Sequence, residues 1–312
     1  MKKILTILLV IAFLTGCNSM PIGNQQTQET NQQDYRTGNQ GLRINFVTNA
    51  PPSRVFDTDE MNVLIEIENM GAYTTKSIAD KIYLSGFDQS IITGIPTTGK
   101  TIPILEGKGP YVSRGMTDRV AFKAIPAMLK AKTIDKYPIT LLATACYEYE
   151  TIASGNICID PDPYSISTQQ KVCTPQDISM GGGQGGPIAV TNIEVEPSPG
   201  ITRLKIDVQN VGGGEVFKPG IDALQRCGPY TSELGFNTID YVQVYDINLP
   251  GYSIISSCRP LDQGYLRLIN GQGTMYCEIN TQGQSTYMTP LTIKLKYGYR
   301  NTIYKNIELL SV

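Results

Sequence analysis

The sequence predicts an all-β body built of two tandem antiparallel β-sandwich domains. Three observations carry that expectation. Apolar residues alternate with polar ones at period two, short runs of β-forming residues are separated by Gly, Pro, Asn and Asp, and a second set of such runs follows a glycine-rich joint. In the first set, Val63, Ile65 and Ile67 alternate with mainly polar Asn62, Glu66 and Glu68, closing at Asn69-Met70-Gly71. In the second, Leu204, Ile206 and Val208 alternate with Arg203, Lys205, Asp207 and Gln209, closing at Asn210-Val211-Gly212. Such alternation marks a half-buried strand. Asn and Gly tolerate the positive φ of the turn that ends it.

The chain opens with a different kind of segment. Lys2 and Lys3 are followed by the apolar stretch Ile4 to Leu14, broken only by Thr6. As a helix it would span only ~16 Å, roughly half a bilayer's hydrocarbon core, so it suits a signal peptide and not a membrane span. Leu14-Thr15-Gly16-Cys17 resembles the lipobox of secreted lipoproteins. That resemblance implies a diacylglyceryl group on the Cys17 sulfur, removal of residues 1–16 and anchoring to a membrane outside the cytoplasm. The alternative is an ordinary secretory signal with a cysteine near its cleavage site. Residues 17–40 are then expected to be a disordered polar tether, rich in Asn, Gln, Thr and Gly. Its root-mean-square reach is roughly 25 Å.

The folded remainder divides at Met180-Gly181-Gly182-Gly183-Gln184-Gly185-Gly186-Pro187, which reads as a flexible joint, residues 180–187. It separates domain 1 (41–179) from domain 2 (188–312). The two look duplicated at their ends as well. Tyr137-Pro138-Ile139-Thr140 leads to Tyr147-Glu148-Tyr149, and Thr289-Pro290-Leu291-Thr292 leads to Tyr297-Gly298-Tyr299. In each copy a strand, a turn and a last strand are expected, the last being Ile157 to Ile159 or Thr302 to Leu309. Further strands are expected at Lys81–Leu84, Arg119–Phe122, Tyr241–Tyr245, Tyr265–Ile269 and Thr274–Ile279. Only Pro126–Lys132 looks helical.

The alternating strand that closes in Asn-x-Gly, over Glu60–Gly71 and Thr191–Gly213, resembles the CARDB type of immunoglobulin-like module. The resemblance implies two immunoglobulin-like sandwiches used in adhesion or extracellular contacts, with envelope or surface proteins or glycans as partners. The extra cysteines and the long segment Phe217–Phe236 depart from the simple module.

Composition narrows the function classes. The formal charge is −2, and losing Lys2 and Lys3 with the signal makes the body more acidic. No Lys/Arg cluster remains to neutralise several phosphates, so no nucleic-acid partner is indicated. Seven cysteines less Cys17 leave Cys146, Cys158, Cys173, Cys227, Cys258 and Cys277. An even number in an exported chain favours disulfides. The expected pairs are Cys146–Cys158, across a Thr-Ile-Ala-Ser-Gly-Asn hairpin, Cys258–Cys277 by proximity, and Cys173–Cys227 as the residual one. With no C-x-x-C spacing and no histidine, a zinc cluster is disfavoured.

Chemistry has little to build on. The absence of histidine removes Ser-His-Asp and Cys-His mechanisms. Gly94-Ile95-Pro96-Thr97-Thr98-Gly99-Lys100-Thr101 satisfies the Walker A expression, but Pro103, Gly107, Gly109 and Pro110 oppose the helix that would present its amides to phosphate, so it reads as a loop. Asp57, Asp59 and Glu60, or Asp160 and Asp162, could contribute to a calcium site, yet neither cluster continues as a calcium-binding loop. A two-carboxylate glycosidase needs no local motif, and nothing selects a pair. No catalytic, metal-binding or cofactor-binding residue is therefore assigned. The eighteen tyrosines either fill strand faces or supply exposed contact area, and the first role is favoured. The expected function is that of a non-enzymatic, membrane-anchored structural or adhesive lipoprotein. The alternative is an accessory lipoprotein that holds a glycan or peptide for another envelope component.

Overall fold

The computed structural model describes residues 35–165 and 170–312. The signal peptide, Cys17 and most of the expected tether lie outside the described residues. The first half of the body holds β1 (Leu42–Phe46), β2 (Arg54–Phe56), β3 (Met61–Asn69), β4 (Lys81–Ser85), β5 (Ile92–Thr93), β6 (Lys100–Thr101), β7 (Thr117–Pro126) and β8 (Lys136–Ile159). The second holds β9 (Ile178–Ser179), β10 (Ile188–Ser198), β11 (Ile201–Asn210), β12 (Glu215–Phe217), α1 (Ile221–Arg226) and β13 (Tyr241–Leu249). It ends with β14 (Tyr252–Ser253), β15 (Tyr265–Arg267), β16 (Gln272–Asn280) and β17 (Tyr287–Leu310). A one-turn 3-10 helix, Leu129–Lys132, lies within the segment expected to be helical.

The period-two strands form as their patterns require. β3 buries Met61, Val63, Ile65, Ile67 and Asn69, and β11 buries Thr202, Leu204, Ile206 and Val208. Each fully buried Val or Ile stabilises the sheet by about 1.5–3 kcal/mol relative to exposure. β3 sits in a four-stranded sheet of order β1-β3-β7-β5, and β11 in another of order β16-β11-β10-β9. The third sheet has nine strands, with β14-β13-β17-β8-β4-β6 as its main path. Among the described residues, all pairings between these strands are antiparallel except that of β2 with β17. Residues from all three sheets share one hydrophobic core.

The nine-stranded sheet joins the halves. β8 and β17 are each 24 residues long and pair along their whole length, from Lys136↔Leu310 to Ile159↔Tyr287. The N-terminal part of β8 pairs with β4 of its own half, at Leu142–Cys146. Its C-terminal part, Glu150–Ile159, runs beside the N-terminal part of β17, which pairs with β13. Each long strand thus starts in its own half and ends in the other.

This corrects the expected strand, turn and last strand at both repeats. Thr151-Ile152-Ala153-Ser154-Gly155-Asn156 is not a hairpin loop but part of a continuous strand, and Ile157–Ile159 and Thr302–Leu309 are its continuation in β8 and the corresponding continuation in β17. It also corrects the joint. Gln184, Gly185, Gly186 and Pro187 are buried, and residues Asp34–Val312 form one compact unit held across 180–187 by the β8–β17 ladder.

The disulfides are Cys146–Cys227, Cys158–Cys173 and Cys258–Cys277. The expected Cys146–Cys158 and Cys173–Cys227 pairs are corrected. Cys146 and Cys158 lie twelve positions apart on one extended strand, roughly 40 Å, so no bond can join them once the hairpin is absent. Cys146 instead points to the outer face of the nine-stranded sheet. There α1, missed in the sequence, brings Ala223, Leu224 and Cys227 against Tyr83 and Phe217 in a second small core.

Candidate functional site

The centre of the long ladder carries a buried cluster of four tyrosines. The register places Tyr147 opposite Tyr299 and Tyr149 opposite Tyr297, with Glu148 opposite Gly298 between them. All four rings are buried on the inner face. Their centroids are 5.9 Å apart for Tyr147–Tyr149 and for Tyr147–Tyr299, 6.5 Å for Tyr149–Tyr297 and 6.3 Å for Tyr297–Tyr299. Such tilted and edge contacts add to the burial term.

The hydroxyls obey a two-fold relation. Tyr147 Oη accepts the Leu42 N–H at 3.1 Å, and Tyr297 Oη accepts the Ile188 N–H at 3.4 Å. Tyr149 donates to Asn69 Oδ1 at 2.8 Å and accepts the Tyr73 N–H at 3.4 Å. Tyr299 donates to Asn210 Oδ1 at 3.1 Å and accepts the Gly214 N–H at 2.6 Å. Asn69 also accepts the Gly71 N–H and donates to Tyr73 O, while Asn210 accepts the Gly212 N–H and donates to Gly214 O. The Asn-x-Gly signature is therefore more than a turn. Its carboxamide closes the turn and ties it to a tyrosine on the long strand of its own half. Burial raises all four phenols, Tyr147, Tyr149 and Tyr297 well above the ordinary value and Tyr299 to about 12, so the cluster carries no charge near neutrality.

The sequence-predicted candidates fall elsewhere. Lys100 and Thr101 form β6, paired with β4, and Lys100 Nζ donates to Ala121 O at 2.6 Å beside the Phe122 ring. The Walker-like run thus opens a short strand where a phosphate loop would open a helix. Asp57 is buried and accepts the N–H groups of Leu129 (2.8 Å) and Val312 (3.2 Å). Glu60 pairs with Lys123, and Asp59 is exposed. Asp160 is buried and accepts from Lys171 Nζ, Thr286 and the Asp162 N–H. The described structure does not bring the two carboxylate clusters together.

One titratable residue escaped sequence reasoning. Asp80 is buried, and its carboxylate accepts the Glu148 N–H at 3.0 Å at the central register pair. Burial pushes its carboxyl up to about 7, with the Glu148 charge adding to the rise. Glu148 itself pairs with Lys296 at 2.9 Å. Nothing in Ser77-Ile78-Ala79-Asp80 signals this, because the environment comes from β8 and β17.

Beside the tyrosine cluster a cavity of about 460 Å3 opens between the β1 edge and the β17 edge, with Ile44, Tyr147, Gly213, Tyr299, Asn301 and Ile303 in its walls. Asn301 Nδ2 donates to Leu42 O, while its buried Oδ1 has no partner among the described residues.

Residues 1–18 match the prokaryotic membrane lipoprotein lipid attachment site. The chain is accordingly a lipid-anchored lipoprotein that faces out of the cytoplasm, and its disulfides fit that compartment. No curated protein matches the sequence.

Proposed function

We propose that this lipoprotein is a non-enzymatic structural or adhesive element of the cell envelope, built of two CARDB-type immunoglobulin-like halves. The observation that carries this reading is the β8–β17 ladder with its tyrosine centre. It locks two repeats into one stiff body next to a lipid anchor, where a binding surface is concentrated at the membrane and weak contacts gain from multivalency. The buried carboxylates Asp57 and Asp160 support it too, since each is committed to donors that hold loops and the C-terminus. Partners would be envelope or surface proteins.

The second reading, an accessory lipoprotein that holds a glycan or peptide for another component, is favoured by the cavity beside Tyr299. In-cell crosslinking of the lipidated protein, followed by pull-down, separates the two. Recurrent protein partners lost on Cys17→Ser support the first reading; a single tightly held glycan class supports the second. Hydrolysis of an envelope polymer by the purified protein would refute both.

A further inference from the structure

We infer that the cavity between β1 and β17 is a binding site for a glutamine side chain carried on an extended segment of a partner polypeptide. This rests on the reading of the chain as a contact protein. The ground for it is the molecule's own duplication.

Ile44 and Val190 are equivalent residues. Leu42 and Ile188, two positions earlier, each donate a backbone N–H to a tyrosine of the cluster and lie opposite the motif asparagines Asn69 and Asn210. Ile44 then lies opposite Ile67 and Val190 opposite Val208. In the second half the outward backbone edge is occupied. The Val190 N–H donates to Gln184 Oε1 at 3.0 Å, and Gln184 Nε2 donates to Val190 O at 3.0 Å, so one primary carboxamide satisfies both groups of one residue.

In the first half the same edge is open. Gly41 O accepts from Met70 and the Val47 N–H donates to Leu64, so these odd-numbered residues face β3. Leu42 and Ile44 therefore face away from it, and Leu42 does so towards Tyr147 and Asn301. The Ile44 N–H and C=O therefore lie on the β1 edge opposite β3, where Ile44 lines the cavity, and have no partner among the described residues. The duplicate does not fill it because the position that corresponds to Gln184, four residues before Ile188, is Gly38, four before Leu42. Gly38 lies in a parallel bridge with Gln184, and Arg36 and Thr37 line the second half's cleft, so both lead-in segments run to that side. The unpartnered Asn301 Oδ1 in the same wall supplies a further acceptor.

The arrangement at Val190 in the second half selects the ligand over the main chain of an added strand. A primary carboxamide carries a donor and an acceptor on the same side and answers both groups of Ile44. A carboxylate brings two acceptors and opposes Ile44 O. A trans secondary amide, including the acetamido group of an N-acetyl sugar, directs its N–H and C=O to opposite sides.

The test uses the full mature lipoprotein in nanodiscs with labelled isoleucine methyls. The probe copies residues 181–186 as acetyl-Gly-Gly-Gly-Gln-Gly-Gly-N-methylamide. Saturable shifts of Ile44 and Ile303, with Ile178 and Ile188 unmoved, are expected, and a Glu-for-Gln peptide should bind about ten-fold more weakly because a buried group is left unmatched. Ile303→Trp, which fills the cavity, should abolish the response with its methyl spectrum otherwise intact. If that variant does not fold, the peptide comparison on the native protein still decides. No saturable shift up to the peptide's solubility, equal affinity for the Glu peptide, or the same shifts from N-acetylglucosamine would overturn the inference. Absence of any recurrent protein partner of the native lipoprotein in the crosslinking experiment would instead refute the contact reading on which it rests.

Discussion

Asn69 and Asn210 hold the same post in the two halves: each accepts a hydroxyl proton from a long-strand tyrosine, Tyr149 at 2.8 Å and Tyr299 at 3.1 Å. Two sequence repeats that look unrelated, Asn-x-Gly and Tyr-x-Tyr, are thus the two ends of one hydrogen-bonded unit, made twice. Because β8 and β17 cross from half to half, the unit couples the four-stranded sheets to the shared ladder.

Tyr149→Phe tests that coupling. It removes the proton donated to Asn69 and the acceptor of the Tyr73 N–H while keeping the ring contacts. A loss of about 1–3 kcal/mol is expected in chemical denaturation of the oxidised protein, and a similar loss for Tyr299→Phe, which strands the Gly214 N–H. A change within experimental error in both variants would show that the hydroxyls are dispensable.

Gly298→Ala tests the outer face of the same register pair. A Cβ at Gly298 would run into the Phe217 ring, which covers the sheet there with α1 and Cys227. Overpacking of this kind costs about 1–3 kcal/mol. The lowered midpoint should be accompanied by easier reduction of Cys146–Cys227, read by thiol labelling, since the same cap protects that bond.

How far the sequence told this story depends on how local each signal was. β3 and β11 were legible because Val63-x-Ile65-x-Ile67 and Leu204-x-Ile206-x-Val208 carry their period within a few residues. The lipid attachment site was legible for the same reason. The tyrosine pairs were legible as sharing a strand face, but their partners were not, because Tyr149 meets Tyr297 only through a register set by strands far apart in sequence. Gly155 and Asn156 read as turn residues, yet they stay extended because β17 pairs beside them, and Met180 packs over Gly155. The disulfide expectations failed at that same place. α1 was invisible because a helix of six residues owes its existence to packing and to Cys227, and not to its own periodicity.

Non-reducing peptide mapping checks the pairing directly. Fragments joined through Cys146–Cys227, Cys158–Cys173 and Cys258–Cys277 are expected from protein isolated from its native compartment. Cys227→Ser should cost about 2–5 kcal/mol. A Cys146–Cys158 fragment would contradict the continuous β8.

Asp80 makes stability depend on pH in a direction opposite to that of most carboxylates. Its folded-state value is raised from 3.8 to about 7 because burial disfavours the charged form. The folded protein therefore holds a proton that the unfolded chain has lost. The stabilising contribution is complete below the unfolded value and is lost as pH rises towards and through the folded one, in a window from about 4 to 7. The full span is about 4 kcal/mol at most. Asp80→Asn keeps an acceptor for the Glu148 N–H but cannot ionise, so it should be more stable than the native protein at pH 8 and nearly equal at pH 4. Paired denaturation curves at the two pH values read the difference. Equal offsets at both would show that Asp80 titrates at its ordinary value, and that the Glu148–Lys296 pair and ladder shield no buried carboxyl.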